Sequence, residues 1–437
     1  MKRDIYSKLL KWKTSKRRKP LLLKGSRQVG KTYILQEFGA REYDKIAYFN
    51  FEEISSLDDF FQRDLIPDKI LSNLSIQVGF EIRPEHHLVI FDEIQNSNAA
   101  LNSLKYFNEK ANEYHIAAAG SLLGVMLSKP RTFPIGKVNF LNLYPMTFLE
   151  FLDAIDESGL RDLIENKTND FSPYPMPFHE RLIELLRVYF FIGGMPEAVK
   201  EYAESGNFSE VRTIHSEIIN SYLLDFAKHT TPTEIPKINL IWDSIPAQLA
   251  KENKKFIFSA VRKSARAREY ENAIQWLENA GLIMKSYQVN TAKYPLKGYM
   301  NRNIFKVFML DIGILAAMTK LPKNILIEGD RLFTEFKGAF VENYVAQQLQ
   351  SEKEVDLFYW TSNGRAEVDF IIEYNERIFP LEVKAGISPK SKSLSVYAKE
   401  FKSQTLTRCT LLNLRQDGNI FNFPLYAINL FPDLLMV

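Results

Sequence analysis

A single cysteine, Cys409, is the entire thiol content of this 437-residue chain. That excludes an intrachain disulfide framework and any cysteine-built zinc site, and Cys409 is expected to be a small buried hydrophobe in a reducing compartment. Long apolar runs are missing as well. No stretch approaches the about 20 uninterrupted apolar residues that span a bilayer, and the run over residues 115–128 is too short and too rich in Gly and Ser, so no membrane partner is expected. The basic amino terminus has no apolar segment or small-residue cleavage site behind it. No secretory signal is read, and the cytoplasm is the expected location. A large charge of one sign is also lacking: the formal net charge is +3, which by itself says nothing of nucleic acid, because only its distribution could. Neither an internal repeat nor a low-complexity tract interrupts the chain.

What is present suffices for several folded units. Apolar residues make up 46% and charged residues 25%, so burial can offset chain entropy over most of the length. The length exceeds what one core organises, and roughly 150 residues per domain gives about three units. Residues 5–18 carry an amphipathic helical pattern that runs into the basic cluster Lys16, Arg17, Arg18, Lys19, read as a solvated surface; Pro20 then opens a strand at 21–24. Short apolar runs recur at 45–50, 87–91, 115–119 and 138–143 with helical patterns between the earlier ones, which implies an α/β layer around a largely parallel sheet. After Pro145 the character changes. Residues 147–230 read mostly as helices, interrupted by the turn Gly193-Gly194-Met195-Pro196. Residues 236–310 carry two or three helices, the last at about 266–279, then Gly281 as a stop and strands at 282–289 and 304–309, the order of a winged helix. From about 337 onward, a helix at 339–350 and strands at 356–360, 367–373 and 378–384 form a further α/β unit.

The strongest local signal is the octet Gly25-Ser26-Arg27-Gln28-Val29-Gly30-Lys31-Thr32, set between an apolar run at 21–23 and a helical pattern at 33–38. A glycine-rich turn between strand and helix points backbone N–H groups at phosphate oxygens, and the helix amino terminus adds a favourable dipole. Lys31 would reach the β- and γ-phosphates, and the Thr32 hydroxyl would coordinate magnesium. ATP and Mg2+ are therefore the expected cofactors of a soluble, intracellular ATPase. The second half of such a site is an acidic pair after a buried strand, and residues 88–93, Leu-Val-Ile-Phe-Asp-Glu, supply it. Asp92 would hold magnesium through water, and Glu93 would orient or deprotonate the attacking water. Ser121, closing the next strand, is a candidate γ-phosphate sensor. Arg131 is the best candidate arginine finger. His86 and His87 read as surface residues at a strand start, and Trp276 as core.

These residues, with Arg27-Gln28, resemble the archaeal-type branch of AAA ATPases that carry a carboxyl-terminal domain of unknown function. The resemblance covers nearly the whole chain. It includes Leu143-Tyr144-Pro145-Met146-Thr147-Phe148 with Glu150-Phe151, Gly193-Gly194-Met195-Pro196-Glu197, Trp276-Leu277-Glu278-Asn279-Ala280-Gly281-Leu282, and the run from Glu367-Val368-Asp369-Phe370 to Leu381-Glu382-Val383-Lys384. Where that family often shows Gly-Arg ahead of the Leu-x-Pro segment, this chain has Gly136-Lys137, so a finger or sensor role for that arginine does not carry over.

The final region holds a second constellation: Glu342 on a helix, Asp369 on a strand, and Glu382-Val383-Lys384 on the next strand. Alternation puts Glu382 and Lys384 on one face, with Val383 turned into the core. Two hard carboxylates can bind magnesium, and a lysine beside them can position or activate water against a phosphodiester. This resembles the PD-(D/E)xK nuclease fold, with Val368-Asp369 in place of the Pro-Asp pair. The resemblance implies Asp369 and Glu382 as metal ligands, Lys384 as catalytic lysine and Glu342 as supporting acid; Lys390 and Lys392 are candidate phosphate contacts. In the middle region, Lys251, Lys254, Lys255, Arg262, Lys263, Arg266 and Arg268 cluster beside the helix that would enter a major groove. Of these, Arg262, Lys263, Arg266 and Arg268 are the expected DNA contacts.

The expected architecture is α/β and multidomain: a P-loop AAA-type core over 1–150, a helical lid over 151–232, a winged helix over 233–320 and a nuclease-like domain over 321–437. The expected function is an ATPase coupled to DNA binding and Mg-dependent DNA cleavage. The alternatives are a nucleotide-controlled switch whose end domain binds without cutting, and a DNA-translocating motor. A homo-oligomer is among the expected assemblies.

Overall fold

The computed structural model describes residues 1–62, 65–121, 124–125, 136–168, 170–251, 255–263, 266–323, 338–362, 366–386 and 391–436. Arg131, Lys254 and Lys390 lie outside these. The chain divides into two units: Lys2–Tyr144 with Asn279–Gly281, and Pro145–Glu278 with Leu282–Val437.

The first unit is built on five strands: β1 (Leu21–Lys24), β2 (Lys45–Asn50), β3 (His87–Asp92), β4 (His115–Ala119) and β5 (Asn139–Asn142), in the order β2-β3-β4-β1-β5. Every pairing is parallel. A parallel sheet is covered on both faces, which is why β3 and β4 are buried along their whole length and read as unbroken apolar runs rather than alternating ones. Helices Lys31–Glu42, Pro67–Val78 and Asn98–Lys110 run between the strands. Leu22, Phe49, Val89, Phe91, Leu104 and Ile116 belong to one buried cluster.

Two local expectations are corrected by the fold. The first helix spans Ile5–Thr14 and stops at Ser15, whose backbone is extended (ψ 128°). The basic stretch behind it is not all solvated, because the Arg18 guanidinium turns inward to His115 and to the Asn112 carbonyl. His115 also meets the Tyr43 hydroxyl at 2.7 Å, and burial, with Arg18 adding to it, pushes the imidazole down to about 4. His87 is likewise no surface residue. It is 2% exposed, its Nδ1 accepts the Arg83 N–H at 3.0 Å, and the neighbouring His86 alone reaches solvent, beside Asp44. Opening a strand that lies between two others places His87 in the interior.

The second unit joins a helical segment to an eight-stranded mixed sheet. Its strands are β6 (Ile283–Val289), β7 (Met300–Met309), β8 (Leu357–Thr361), β9 (Glu367–Tyr374), β10 (Arg377–Val383), β11 (Leu406–Thr410), β12 (Arg415–Asp417) and β13 (Ile420–Pro424), in the order β12-β13-β11-β10-β9-β8-β6-β7. Helices Ile235–Leu249, Phe258–Val261 and Ala267–Asn279 do precede the β6–β7 hairpin. The hairpin, however, does not stand apart as a wing: β6 pairs in parallel with β8, so it forms one end of the carboxyl-terminal sheet.

Buried polar side chains tie the helices of this unit together. In the helix Ala339–Lys353, Asn343 brackets Met309, accepting its N–H at 2.7 Å and donating to its carbonyl at 3.1 Å. One turn on, Gln347 accepts the Ile312 N–H (2.9 Å) and Gln348 the Phe148 N–H (3.0 Å). Asp311 caps the helix Ile312–Met318 through the Ile314 N–H and also accepts the Gly194 N–H at 2.6 Å. That contact explains the glycine pair: a Cβ on Gly193 (φ +71°) would lie 2.2 Å from Asp311 Oδ1, and one on Gly194 would lie 2.0 Å from the Met146 carbonyl. The Thr147-Phe148-Leu149-Glu150 segment is a capping box, with Thr147 Oγ1 accepting the Glu150 N–H and Glu150 accepting the Thr147 N–H. Cys409 is buried, and Trp276, half-buried, packs on Phe226. Among the described residues, no helix is long and apolar enough to cross a membrane.

Candidate functional site

In the first unit, the octet and the acidic pair meet at the carboxyl ends of β1 and β3, where ligands of open α/β sheets bind. The loop leaves β1 at Gly25, which must be glycine for close approach: a Cβ there would sit 2.3 Å from the Leu143 carbonyl. Gly30, at φ +91°, then delivers the chain into the helix Lys31–Glu42. Gln28, between them, is also left-handed at φ 64°. Lys31, 6% exposed, curls back over the loop and donates to the carbonyls of Ser26 (2.7 Å) and Gly25 (3.1 Å). Its ammonium thus lies in the cradle that the loop encloses.

Thr32 Oγ1 donates to Asp92 Oδ2 at 2.7 Å. Asp92, 3% exposed, accepts on the same oxygen from the Tyr48 hydroxyl (2.8 Å) and on Oδ1 from the Glu93 N–H (3.0 Å). The Thr32 hydroxyl and the Asp92 carboxylate in contact are oxygen donors of the kind that could hold a magnesium ion. Burial, with the Asp92 carboxylate second, pushes the Tyr48 hydroxyl above its ordinary value and keeps it a donor.

Glu93 sits in the left-handed region at φ 49°, ψ 40°. For a non-glycine residue that costs on the order of 1–3 kcal/mol and recurs at working sites. Its Oε2 accepts from Ser121 Oγ at 3.3 Å and from the Gln95 amide. The structure therefore brings Glu93 and Ser121 together, as well as Thr32 and Asp92. Three residues of the site were not read from the sequence. Tyr48 and Gln95 hold the acidic pair, and Arg3 braces the loop, donating to the Val29 carbonyl (3.0 Å) and the Tyr144 carbonyl (2.7 Å). Alternation along β2, which pairs Asn50 with Asp92, is the one pattern that pointed towards Tyr48.

In the second unit, Glu382 is 2% and Glu342 4% exposed. Lys384 Nζ pairs with Glu382 Oε1 at 2.7 Å, which puts both on one face as alternation requires. Asp369 Oδ2 accepts the Val383 N–H at 2.8 Å across the β9–β10 ladder. The other Glu382 oxygen, Oε2, is buried without a hydrogen-bond partner; an orphaned carboxylate oxygen is a ready cation ligand. Burial alone would lower Lys384, but Glu382, then Asp369 and Glu342, raise it above the ordinary lysine value, so it is a cation. Sequence reasoning missed Lys306 of β7, which pairs with Glu342 and Glu367. Arg262, Lys263, Arg266 and Arg268 are all exposed, as are the neighbouring Glu269 and Glu271.

Residues 17–152 match the model of the AAA domain family. That match, the parallel sheet and the phosphate loop together fit a P-loop fold of the AAA class for this segment. Residues 183–324 match a domain of unknown function, DUF8612, and residues 337–428 another, DUF4143. No curated protein matches the chain. Among solved structures, the Walker-type ATPase of Pyrococcus abyssi is similar at 14% identity over 73% of this chain and 95% of its own, with a TM-score of 0.46. The Aeropyrum pernix ORC1 protein in complex with DNA covers 73% and 91% at 13% identity and a TM-score of 0.30. The Thermotoga maritima RuvB Holliday junction branch migration motor covers 68% and 90% at 14% identity and 0.31. At these scores the structural likenesses carry no further argument.

Proposed function

We propose that this chain binds and hydrolyses ATP at the phosphate loop, and that its carboxyl-terminal region is a nuclease-like module that acts on DNA under nucleotide control. The observation that carries the ATPase reading is the contact of Thr32 with Asp92 beside a buried Lys31 and a Glu93 held by Ser121. Lys31 exchanges the carbonyls of Gly25 and Ser26 for phosphate oxygens. The loop N–H groups from Ser26 to Lys31 take the remaining phosphate charge. Thr32 and Asp92 would hold magnesium, which when bound would neutralise phosphate charge. Glu93, once released from Ser121, accepts a proton from water as its oxygen forms a bond to the γ-phosphorus. The bond to the ADP oxygen breaks, leaving ADP and phosphate.

For the second unit we assign Asp369 and Glu382 as the residues that would hold a divalent ion, Lys384 as the cation beside the scissile phosphate and Glu342 as supporting acid. The orphaned Glu382 Oε2 supports this. The helices over 235–279 ahead of the β6–β7 hairpin would supply the DNA contacts, with Arg262, Lys263, Arg266 and Arg268 neutralising phosphates. The helices over 151–232 follow the ATPase core in the chain as a lid-like segment.

One experiment addresses both halves: ATP turnover, and Mg2+- or Mn2+-dependent cleavage of plasmid and single-stranded DNA with and without ATP, in wild type, Glu93→Gln, Asp369→Ala and Lys384→Ala. Glu93→Gln is expected to retain ATP binding and lose about 10²- to 10⁴-fold in turnover, the scale of a general base; unchanged turnover removes Glu93 from that role. Cleavage abolished in both carboxyl-terminal variants supports the nuclease. No cleavage under any condition, with ATP binding intact, leaves the nucleotide-controlled switch.

A further inference from the structure

Four carboxylates converge at one end of the carboxyl-terminal sheet: Glu342 from the helix Ala339–Lys353, Glu367 and Asp369 from β9, and Glu382 from β10. Glu342 and Glu382 are withdrawn from water while Glu367 stays about a third exposed, and like charges gathered in this way require cations in contact with them. Lys384 supplies one. The other, Lys306, comes from β7 on the hairpin, 36 positions ahead of Glu342 in the numbering (342 − 306). Its side chain is 0% exposed. Nζ lies 2.5 Å from Glu367 Oε1, 3.6 Å from Glu342 Oε2 and 4.8 Å from the centre of the Tyr359 ring. Lys306 is fixed by backbone on two sides, pairing with Ser286 in the hairpin and bridging to Lys255.

The two lysines divide the cluster. Lys306 pairs with Glu342 and Glu367, and Lys384 pairs with Oε1 of Glu382 while Asp369 and Glu342 also act on it. Glu382 Oε2 is buried without a hydrogen-bond partner, next to the strand that carries Asp369.

We propose that Lys306 is a fixed internal cation that fills the Glu342–Glu367 side of the cluster, so that the site takes a single divalent ion at Asp369 and Glu382 rather than a pair. This rests on the nuclease-like reading of the second unit. Paired-metal sites place two divalent ions about 4 Å apart between shared carboxylates. An ammonium already seated between two of those carboxylates repels the second ion, and it cannot withdraw without leaving buried acids uncompensated. Lys306 is thus a residue that sets metal number, not one that reacts.

The test counts Mn2+ bound to the full chain, free of nucleotide and carrying Asp92→Ala to remove the metal of the phosphate loop, from the electron paramagnetic resonance signal of free Mn2+. The expected result is one Mn2+ per chain, abolished by Glu382→Gln. Lys306→Met, shown folded by circular dichroism, is expected to bind a second Mn2+ or to bind the first at least tenfold more tightly. Two Mn2+ per chain with Lys306 in place overturns the inference and leaves the nuclease-like reading standing, as does a folded Lys306→Met with count and affinity unchanged. No Mn2+ at all overturns both. Should Lys306→Met fail to fold, the count in the Lys306 chain still decides between one ion and two.

Discussion

Tyr48 shows how much of a site is carried by a residue that performs no chemistry. Asp92 would be a metal ligand with one oxygen shared between Thr32 and Tyr48. When magnesium draws the Thr32 hydroxyl to itself, the Tyr48 O–H remains to fix the carboxylate. Partners of this kind typically change metal affinity by about 10- to 100-fold when removed. Tyr48→Phe is therefore expected to raise the Mg2+ concentration for half-maximal ATP turnover roughly tenfold while leaving turnover at saturating Mg2+ near that of wild type. An unchanged Mg2+ dependence would show that Thr32 and the Glu93 N–H suffice to orient Asp92. The phosphate loop beside it was legible from the sequence because its contacts are made within one turn of chain. Tyr48, Gln95 and Arg3 were not, because a tyrosine on a strand, a glutamine after a turn and an arginine near a helix start look the same whether or not they meet a partner.

Among the elements, Asp311 is the joint on which the glycine turn, the helix Ile312–Met318 and the helix Ala339–Lys353 depend. Its oxygens accept from Gly194, Ile314 and Gln347. Burial pushes its carboxyl up to about 6, against the lowering pull of those donors. An acid whose folded value lies above its unfolded one contributes most stability when protonated in the fold. Here that contribution is full below about pH 4 and declines as pH rises through about 6. Asp311→Asn removes the titration. The melting temperature of wild type minus that of the variant is accordingly expected to fall between pH 4 and pH 7; a difference that stays constant would mean Asp311 titrates as an ordinary carboxylate. The Gly193-Gly194 motif was visible in the sequence as a turn. That Asp311 forbids side chains there was not, since the two positions are over a hundred residues apart in the chain.

At the scale of the whole molecule, the hairpin matters most. Helices followed by a hairpin were read as a separate winged helix, yet β6 hydrogen-bonds to β8 and the sheet runs on to β12 without a break. Hydrophobic periodicity reports that a strand exists, not which strand it pairs with. The cations ahead of the hairpin, Arg262, Lys263 and Arg266, are exposed. Replacing Arg262, Lys263 and Arg266 together with Ala is expected to weaken DNA binding and reduce the slope of log affinity against log salt by up to about 3, roughly one for each phosphate no longer neutralised. An unaltered slope would assign these residues to another surface.

The sequence by itself determined what is local: the strand and helix around residues 25–32, the acidic pair after β3, and the alternation that puts Glu382 and Lys384 on one face. These depend on backbone geometry over a few residues, so residue type and spacing suffice. Only the tertiary structure decided that Thr32 meets Asp92, that Glu93 rests on Ser121, that His87 and Arg18 turn inward, and that Lys306 lies among carboxylates from two other elements. Those contacts are made where distant segments pack, and a side chain's charge does not reveal its partner until the sheet order has been fixed.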